Sequence, residues 1–262
     1  MRRRHRRVVF PALDAVTPPL LDEVWRPLVE EHLEAGSPCG WFEPAYQAAV
    51  ARGARLPWHE GAAHPWLVDW LDAPVHTPPG RRALVTGCGV GDDVAPLVAE
   101  GYEVTALDIA PTAIMWAHQR ADERGGGGDG TVAWRTGDLL DLEASLVGAF
   151  DLVVEIHTVP WLPGVVRDAA MAAVGAAVAP GGVAVVITEL ATSEAERSRL
   201  PGPPWPQAPS ELAAYRAGGL VRLALEHPPA ESEATMEVRG TWQRPTGTDP
   251  VAPPVRPLPT VG

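Results

Sequence analysis

Between Arg82 and Leu190 the apolar residues fall in short blocks whose period keeps changing. "RALVTG" (82–87), "YEVTALD" (102–108), "FDLVVEIH" (150–157) and "GGVAVVITEL" (181–190) are apolar runs bounded by glycine or charged residues. Such runs suit strands covered on both faces. "TVAWRTGD" (131–138) reads as a further strand. Residues 92–100, 111–124 and 165–179 read as helices, the second opening on Pro111, a position where the missing N–H costs nothing. Strand and helix in alternation with short connections predict a parallel sheet. Segments 220–227 and 234–243 follow one another without a helix, joined by "PPAES", and should pair antiparallel. "SELAAYRAGG" reads as a helix with Ser210 at its N-cap. The expected fold is α/β: a Rossmann-like, doubly wound, seven-stranded, mostly parallel sheet with an antiparallel last strand.

The flanks follow different patterns. From Pro18 to about Leu71 the text is helical, interrupted by prolines and rich in tryptophan, which predicts an N-terminal helical cap. Residues 1–15 and the Pro-rich stretch 244–262 have no periodicity and read as tails. The expected organisation is one domain over 16–243, with a cap at 16–75 and the sheet core at 76–243.

Charge and composition narrow the function classes. Net charge is −12, and no basic patch occurs after the first seven residues, so a nucleic-acid partner is not expected. All 21 basic residues are arginine, which removes a lysine nucleophile or Schiff base. The two cysteines, Cys39 and Cys88, are too few for a disulfide framework and fit a reducing cytoplasm. No apolar run reaches membrane-spanning length. The expectation is a soluble cytoplasmic protein, monomer or homodimer, whose partner is a small molecule.

The first strand runs into "VTGCGVGDDV" (85–94). Gly87 and Gly89 fit a dinucleotide fingerprint, but Asp92 stands where its last glycine or alanine belongs. Asp92 and Asp93 open the next helix and would repel a pyrophosphate there. A phosphate-free ligand with a positive centre, such as S-adenosylmethionine, suits the loop better. Asp108, 21 residues after Gly87, ends the second strand, the place from which an acid reaches ribose hydroxyls.

The ordered set "LVTGCGVGDDV", "YEVTALDIAPTAI", "GDLLDL", "FDLVVEIHTVPWLP" and "VAPGGVAVVI" resembles the class I S-adenosylmethionine-dependent methyltransferases over roughly 56–243. "PWHEGAAHPWLVDWL" and "GPPWPQAPSEL" make it most similar to the thiopurine and thiol methyltransferase branch. It departs from that branch at the usual Pro-Trp-Asp-Gln-Gly turn, here Trp58-His59-Glu60-Gly61, and at the acid after the fourth strand, here Glu155. The resemblance implies S-adenosylmethionine as cofactor. It assigns Gly87, Gly89 and Gly91 to the loop, Asp108 with Ile109 to the ribose, and Asp138 with Leu139 to the adenine. Trp58 and Gly61 then fall near the methionine end.

In an open parallel sheet the ligand lies beyond the carboxyl ends of the strands, which puts Glu155, His157 and Thr158 beside the reacting sulfonium. His157 is the candidate base, because imidazole titrates near neutral pH. Glu155 would orient it or meet the cofactor's amino acid end. Trp41, Trp161 and Trp205 fall in segments that converge over the cofactor in this fold and could line an apolar acceptor pocket; Trp116 and Trp134 read as core. His59 and His64 read as surface or cap. A cation held by Glu155, His157 and Asp138 would lack further ligands at a useful spacing, and no metal is expected. The expected acceptor is a thiol or similar soft nucleophile. An oxygen or nitrogen acceptor, an NAD-dependent oxidoreductase and a non-catalytic cofactor binder are the alternatives.

Overall fold

A computed structural model describes residues 22–74, 76–125, 131–227 and 235–247. The expected tail at 1–15, most of the glycine run at 125–130, the "PPAES" turn and residues 248–262 lie outside them.

The strands are β1 (Arg82–Thr86), β2 (Glu103–Asp108), β3 (Val132–Thr136), β4 (Phe150–Ile156), β5 (Val178–Ala191), β6 (Val221–Glu226) and β7 (Thr235–Gln243). They form one seven-stranded sheet in the order β3-β2-β1-β4-β5-β7-β6. The first five are parallel, and β7 runs antiparallel to both β5 and β6. From β1 the chain winds outward through β2 and β3, then returns to β4 on the other side. That reversal opens a crevice beyond the carboxyl ends of β1 and β4. Thr86 pairs with both Leu107 and Glu155, so the ends of β1, β2 and β4 stand level along one edge.

The helices are α1 (Asp22–Glu34), α2 (Phe42–Arg52), α3 (Pro65–Asp72), α4 (Val94–Ala99), α5 (Pro111–Glu123), α6 (Gly164–Ala177), α7 (Glu194–Arg197) and α8 (Ala214–Ala217). Alternate strand residues serve opposite faces, as a period of two requires. Ala83, Val85, Leu152 and Val154 meet Leu67 and Trp70 of α3 and Leu97 of α4. Leu84 and Val153 meet Met171 and Val174 of α6 and Tyr215 of α8. Truncating a side chain such as Leu152 in this layer costs about 2–5 kcal/mol.

The expected cap at 16–75 serves two places. Trp25 of α1, Tyr46 of α2 and the intervening Trp41 pack with Trp116 of α5 and with Trp161, over the crevice. α3 instead covers the sheet, where Trp70 Nε1 donates to Thr241 Oγ1 at 3.1 Å.

Two boundaries differ from the sequence reading. Ser210 does not cap its helix: Ala208 holds that place and Pro209, with its fixed φ, opens a 3₁₀ turn that leads into α8. Arg244, expected in the tail, is 2% exposed and donates to the carbonyls of Val178, Gly175 and Gly218. The carbonyls at the end of α6 require such donors when buried, and this extends the ordered core past 243.

Candidate active site at the switch point

Beyond β1 the chain passes through Gly87, Gly89 and Gly91 at φ 58°, 54° and 81°, the left-handed region that glycine enters freely. Space is short as well. A Cβ on Gly87 would collide with the Thr158 side chain, and one on Gly91 would stand 2.8 Å from the Trp134 ring. The loop is fixed to β2: Asp108 accepts from Gly89 N at 2.9 Å through one oxygen and from Ala110 N at 2.9 Å through the other. Burial pushes the Asp108 carboxyl up to about 6, against the lowering effect of those two N–H groups.

Asp92 and Asp93 do more than oppose a phosphate. Asp92 Oδ2 accepts from Gly61 N at 3.1 Å while Oδ1 pairs with Arg120 at 2.8 Å. Asp93 Oδ1 accepts from His64 N at 2.8 Å. The two carboxylates fasten segment 61–64 to the glycine loop. Burial pushes Asp93 up to about 6.

These elements enclose a cavity of about 320 Å³, within the size range of small-molecule pockets, on the order of 300–1,000 Å³. Of the residues foreseen in the sequence, Trp58, Gly87, Gly89, Asp108, Ile109, Asp138, Leu139, His157 and Trp161 line it. One wall is aromatic: Trp58 and Trp161 meet edge to face with centroids 4.7 Å apart, and Trp58 Nε1 donates to Tyr46 Oη at 2.7 Å. The C-terminal side of β3 supplies Asp138, which caps the following turn by accepting from Leu140 N at 2.8 Å.

Five foreseen residues stand behind the lining. Gly61 and Gly91 shape it through their backbones. Trp41 is fully buried, stacked on Phe42 with centroids 3.9 Å apart and donating to the Pro38 carbonyl; it supports the aromatic wall from behind. Trp205 is held by its backbone, its N–H on Pro160 O at 2.7 Å and its carbonyl taken by Arg167. Glu155 requires the clearest correction. It is 0% exposed, with Oε1 accepting from Thr158 N at 2.8 Å and Val159 N at 3.1 Å and Oε2 accepting from Tyr215 Oη at 2.8 Å. The chain turns sharply after β4, so the first N–H groups of the next 3₁₀ turn point back at the strand, and the carboxylate satisfies them. Glu155 therefore builds the turn that carries His157 and does not line the cavity.

His157 sits at φ 52°, the only non-glycine residue with positive φ among the described residues, a conformation that costs about 1–2 kcal/mol. Its Nε2 donates to Glu237 Oε1 at 3.0 Å, and His64 Nε2 donates to the same oxygen at 3.2 Å. Burial pushes the His157 imidazole down, but the hydrogen bond and charge of Glu237, with Glu155 and Glu60 beyond, prevail and hold it above its ordinary value. Hydrogen bonds from His157 and His64 pull Glu237 down to about 2. Glu237 was not foreseen; it is one polar residue in an alternating strand, and only the insertion of β7 beside β5 brings it here. His64, expected at the surface or cap, is 7% exposed and caps α3 by accepting from Trp66 N at Nδ1. His59 is likewise buried, and burial, then Arg120 and Arg55, pushes it down to about 3.

A cation between Glu155, His157 and Asp138 finds no support, because the first is enclosed and the last caps a turn. Among the described residues His64, His157 and Glu237 do bring ligand atoms within 4.8 Å of one another. The N-cap bond at His64 Nδ1, however, leaves the proton on Nε2, which makes that atom a donor to Glu237 and not a metal ligand. No described helix is long and apolar enough to cross a membrane.

The donor set fits S-adenosylmethionine. A buried acid ends β2, a second acid and Leu139 follow β3, and carboxylates cover the start of α4 where a pyrophosphate would rest.

Comparison with known proteins agrees. The sequence profile of the thiopurine S-methyltransferase family matches residues 49–238. Thiopurine S-methyltransferase of Legionella pneumophila (strain Philadelphia 1) is 26% identical over 169 residues, covering 61% of this chain and 74% of its own. Thiocyanate methyltransferase 1 of Arabidopsis thaliana is 33% identical over 92 residues, 33% of this chain and 40% of its own. A solved structure described as "Conversion of a Disulfide Bond into a Thioacetal Group during Echinomycin Biosynthesis" superposes with a TM-score of 0.63 at 26% identity, covering 80% of this chain and 93% of that one. With the crevice, the buried acid and the glycine loop in place, the chain belongs to the thiopurine S-methyltransferase family and is an S-adenosylmethionine-dependent methyltransferase of small molecules.

Proposed function

We propose that the protein methylates a small thiol or similar soft nucleophile held against the Trp58–Trp161 wall. The observation that carries this reading is that wall itself, which lines one cavity together with the glycine loop. When bound, S-adenosylmethionine supplies an electrophilic methyl group on a sulfonium. Asp108 takes the ribose hydroxyls, Asp138 and Leu139 the adenine, and Trp58 the methionine end. The aromatic faces of Trp58 and Trp161 attract a positive centre and exclude water, so the chain's contribution is alignment of nucleophile and methyl. His157 lies on the acceptor side. Thiopurine and thiocyanate, named for two relatives, are both sulfur acceptors, which supports sulfur here. The two cysteines are free, consistent with a reducing, cytoplasmic setting.

A product assay for S-adenosylhomocysteine and methylated acceptor across thiols, phenols and amines tests the reading. Turnover confined to thiols is expected; turnover confined to phenols or amines would replace it. The second reading, an oxygen or nitrogen acceptor, draws on one observation, the imidazole held by a carboxylate at the cavity edge. One relative, the ubiquinone biosynthesis O-methyltransferase of Xanthomonas axonopodis pv. citri (strain 306), is 31% identical over 113 residues, 43% of this chain and 44% of its own.

A further inference from the structure

We propose that His157, Glu237 and His64 form a proton-accepting relay, and that the acceptor is an aliphatic thiol, protonated in the ground state. The inference rests on the thiol reading and adds the state in which the thiol arrives.

Three observations carry it. First, His157 Nε2 is committed to Glu237. A carboxylate only accepts, so the neutral imidazole carries its proton on Nε2 and leaves Nδ1 as the basic atom. Second, Glu237 is itself fixed, since His64 Nε2 donates to the same oxygen and His64 Nδ1 is held by Trp66 N at 3.3 Å. The acid comes from β7, the imidazole from the end of β4 and the second imidazole from the start of α3. Third, His157 holds a left-handed backbone conformation at the cavity, the kind of local strain that clusters at working sites. The charges that act on His157 are those of Glu237, Glu155 and Glu60, with the His64 ring 5.6 Å away, so the imidazolium is stabilised once the proton arrives.

The step balances as follows. The thiol sulfur forms a bond to the methyl carbon, and the carbon–sulfonium bond breaks with its electron pair going to sulfur, leaving a neutral thioether. The S–H proton passes to His157 Nδ1, and the imidazolium is paired with Glu237 until water removes the proton. An anion formed in solution, such as an aryl thiolate, has no proton to give and gains little from the relay. An aliphatic thiol, with a pKa near 8.5, gains most.

Two measurements test this. Nitrogen-15 histidine NMR on the unliganded chain should show His157 in the Nε2–H form above its titration midpoint, and that midpoint should drop in Glu237→Gln. Steady-state rates with a series of thiols of rising pKa should show a loss in Glu237→Gln and His157→Gln that grows along the series. The loss should reach about 10²-fold for alkyl thiols, the lower end of general-base effects, and Glu237→Asp should recover part of it. The relay is overturned by the Nδ1–H form, by an unmoved midpoint in folded Glu237→Gln, by a loss uniform along the series, or by activity removed by a chelator and restored by zinc or manganese. If no thiol is methylated, the sulfur reading fails separately, and the NMR result still decides the relay.

Discussion

The side chain of Asp93 accepts the backbone N–H of His64 at 2.8 Å, joining the start of the first crossover helix to the segment that leads into α3. The acidic pair that spoils a phosphate loop is thereby the fastening between loop and cap. Asp93→Ala leaves the His64 N–H without its acceptor, which costs about 1–3 kcal/mol. Cofactor affinity should fall about tenfold, and calorimetric titration with S-adenosylmethionine measures it; unchanged affinity would show that the fastening does not hold the site.

The buried acid at the end of β2 gives a pH dependence. Asp108 and Asp93 are both held up to about 6 by burial, above an ordinary carboxylate value of 3.8. Their contribution to folding is therefore fully present below 3.8 and is lost as pH rises through about 6. Cofactor binding runs the other way, because ribose hydroxyls need the ionised acceptor. Affinity should weaken as pH falls below about 6. Asp108→Asn should weaken it about 10-fold or more at neutral pH, as loss of a charged hydrogen-bond partner does, and should flatten the dependence. Binding isotherms between pH 5 and 8 check both.

Arg167 is 0% exposed and holds the carbonyls of Leu162, Pro160 and Trp205 together with the Glu211 carboxylate. Replacing it by Leu leaves these acceptors unpaired, an effect of about 3–5 kcal/mol when a buried charge partner is removed. Lys should not restore the loss, since an ammonium cannot reproduce the guanidinium fork. Denaturant midpoints report the stability. Trp fluorescence should report loosening of the Trp161 and Trp205 loops.

Gly91 and Gly53 separate two costs of the left-handed region. At Gly53 φ is 61° with nothing within 4 Å of an added Cβ, whereas at Gly91 φ is 81° and Trp134 lies 2.8 Å away. Gly53→Ala should cost about 1–2 kcal/mol, the backbone penalty alone. Gly91→Ala should cost more and also weaken cofactor binding, because the loop must move off the ring. Equal losses in thermal melts would contradict this.

Local signals carried most of the fold into the sequence. The apolar runs of β1, β4 and β5, Pro111 at the start of α5 and Gly87 after β1 each act within a few residues, so they are legible without the fold. Asp108 was legible because its distance from the glycine loop is set by one strand–helix–strand unit. Glu155 was misread because which N–H groups need an acceptor depends on the turn at His157, and that turn is decided by tertiary context. The segments that carry Trp41, Trp161 and Trp205 are legible, but which rings face the cavity is settled by packing: Trp161 lines it, and Trp41 and Trp205 do not. Glu237 had no local signal, since strand insertion across 80 residues joins it to His157.

The central claim is tested most directly by incubating the purified protein with S-adenosylmethionine and an alkyl thiol and quantifying both products by mass spectrometry. The account predicts S-adenosylhomocysteine and methyl thioether in equal amounts, both abolished in Asp108→Ala. Absence of both products with every thiol, while the folded protein still binds S-adenosylmethionine, would contradict it.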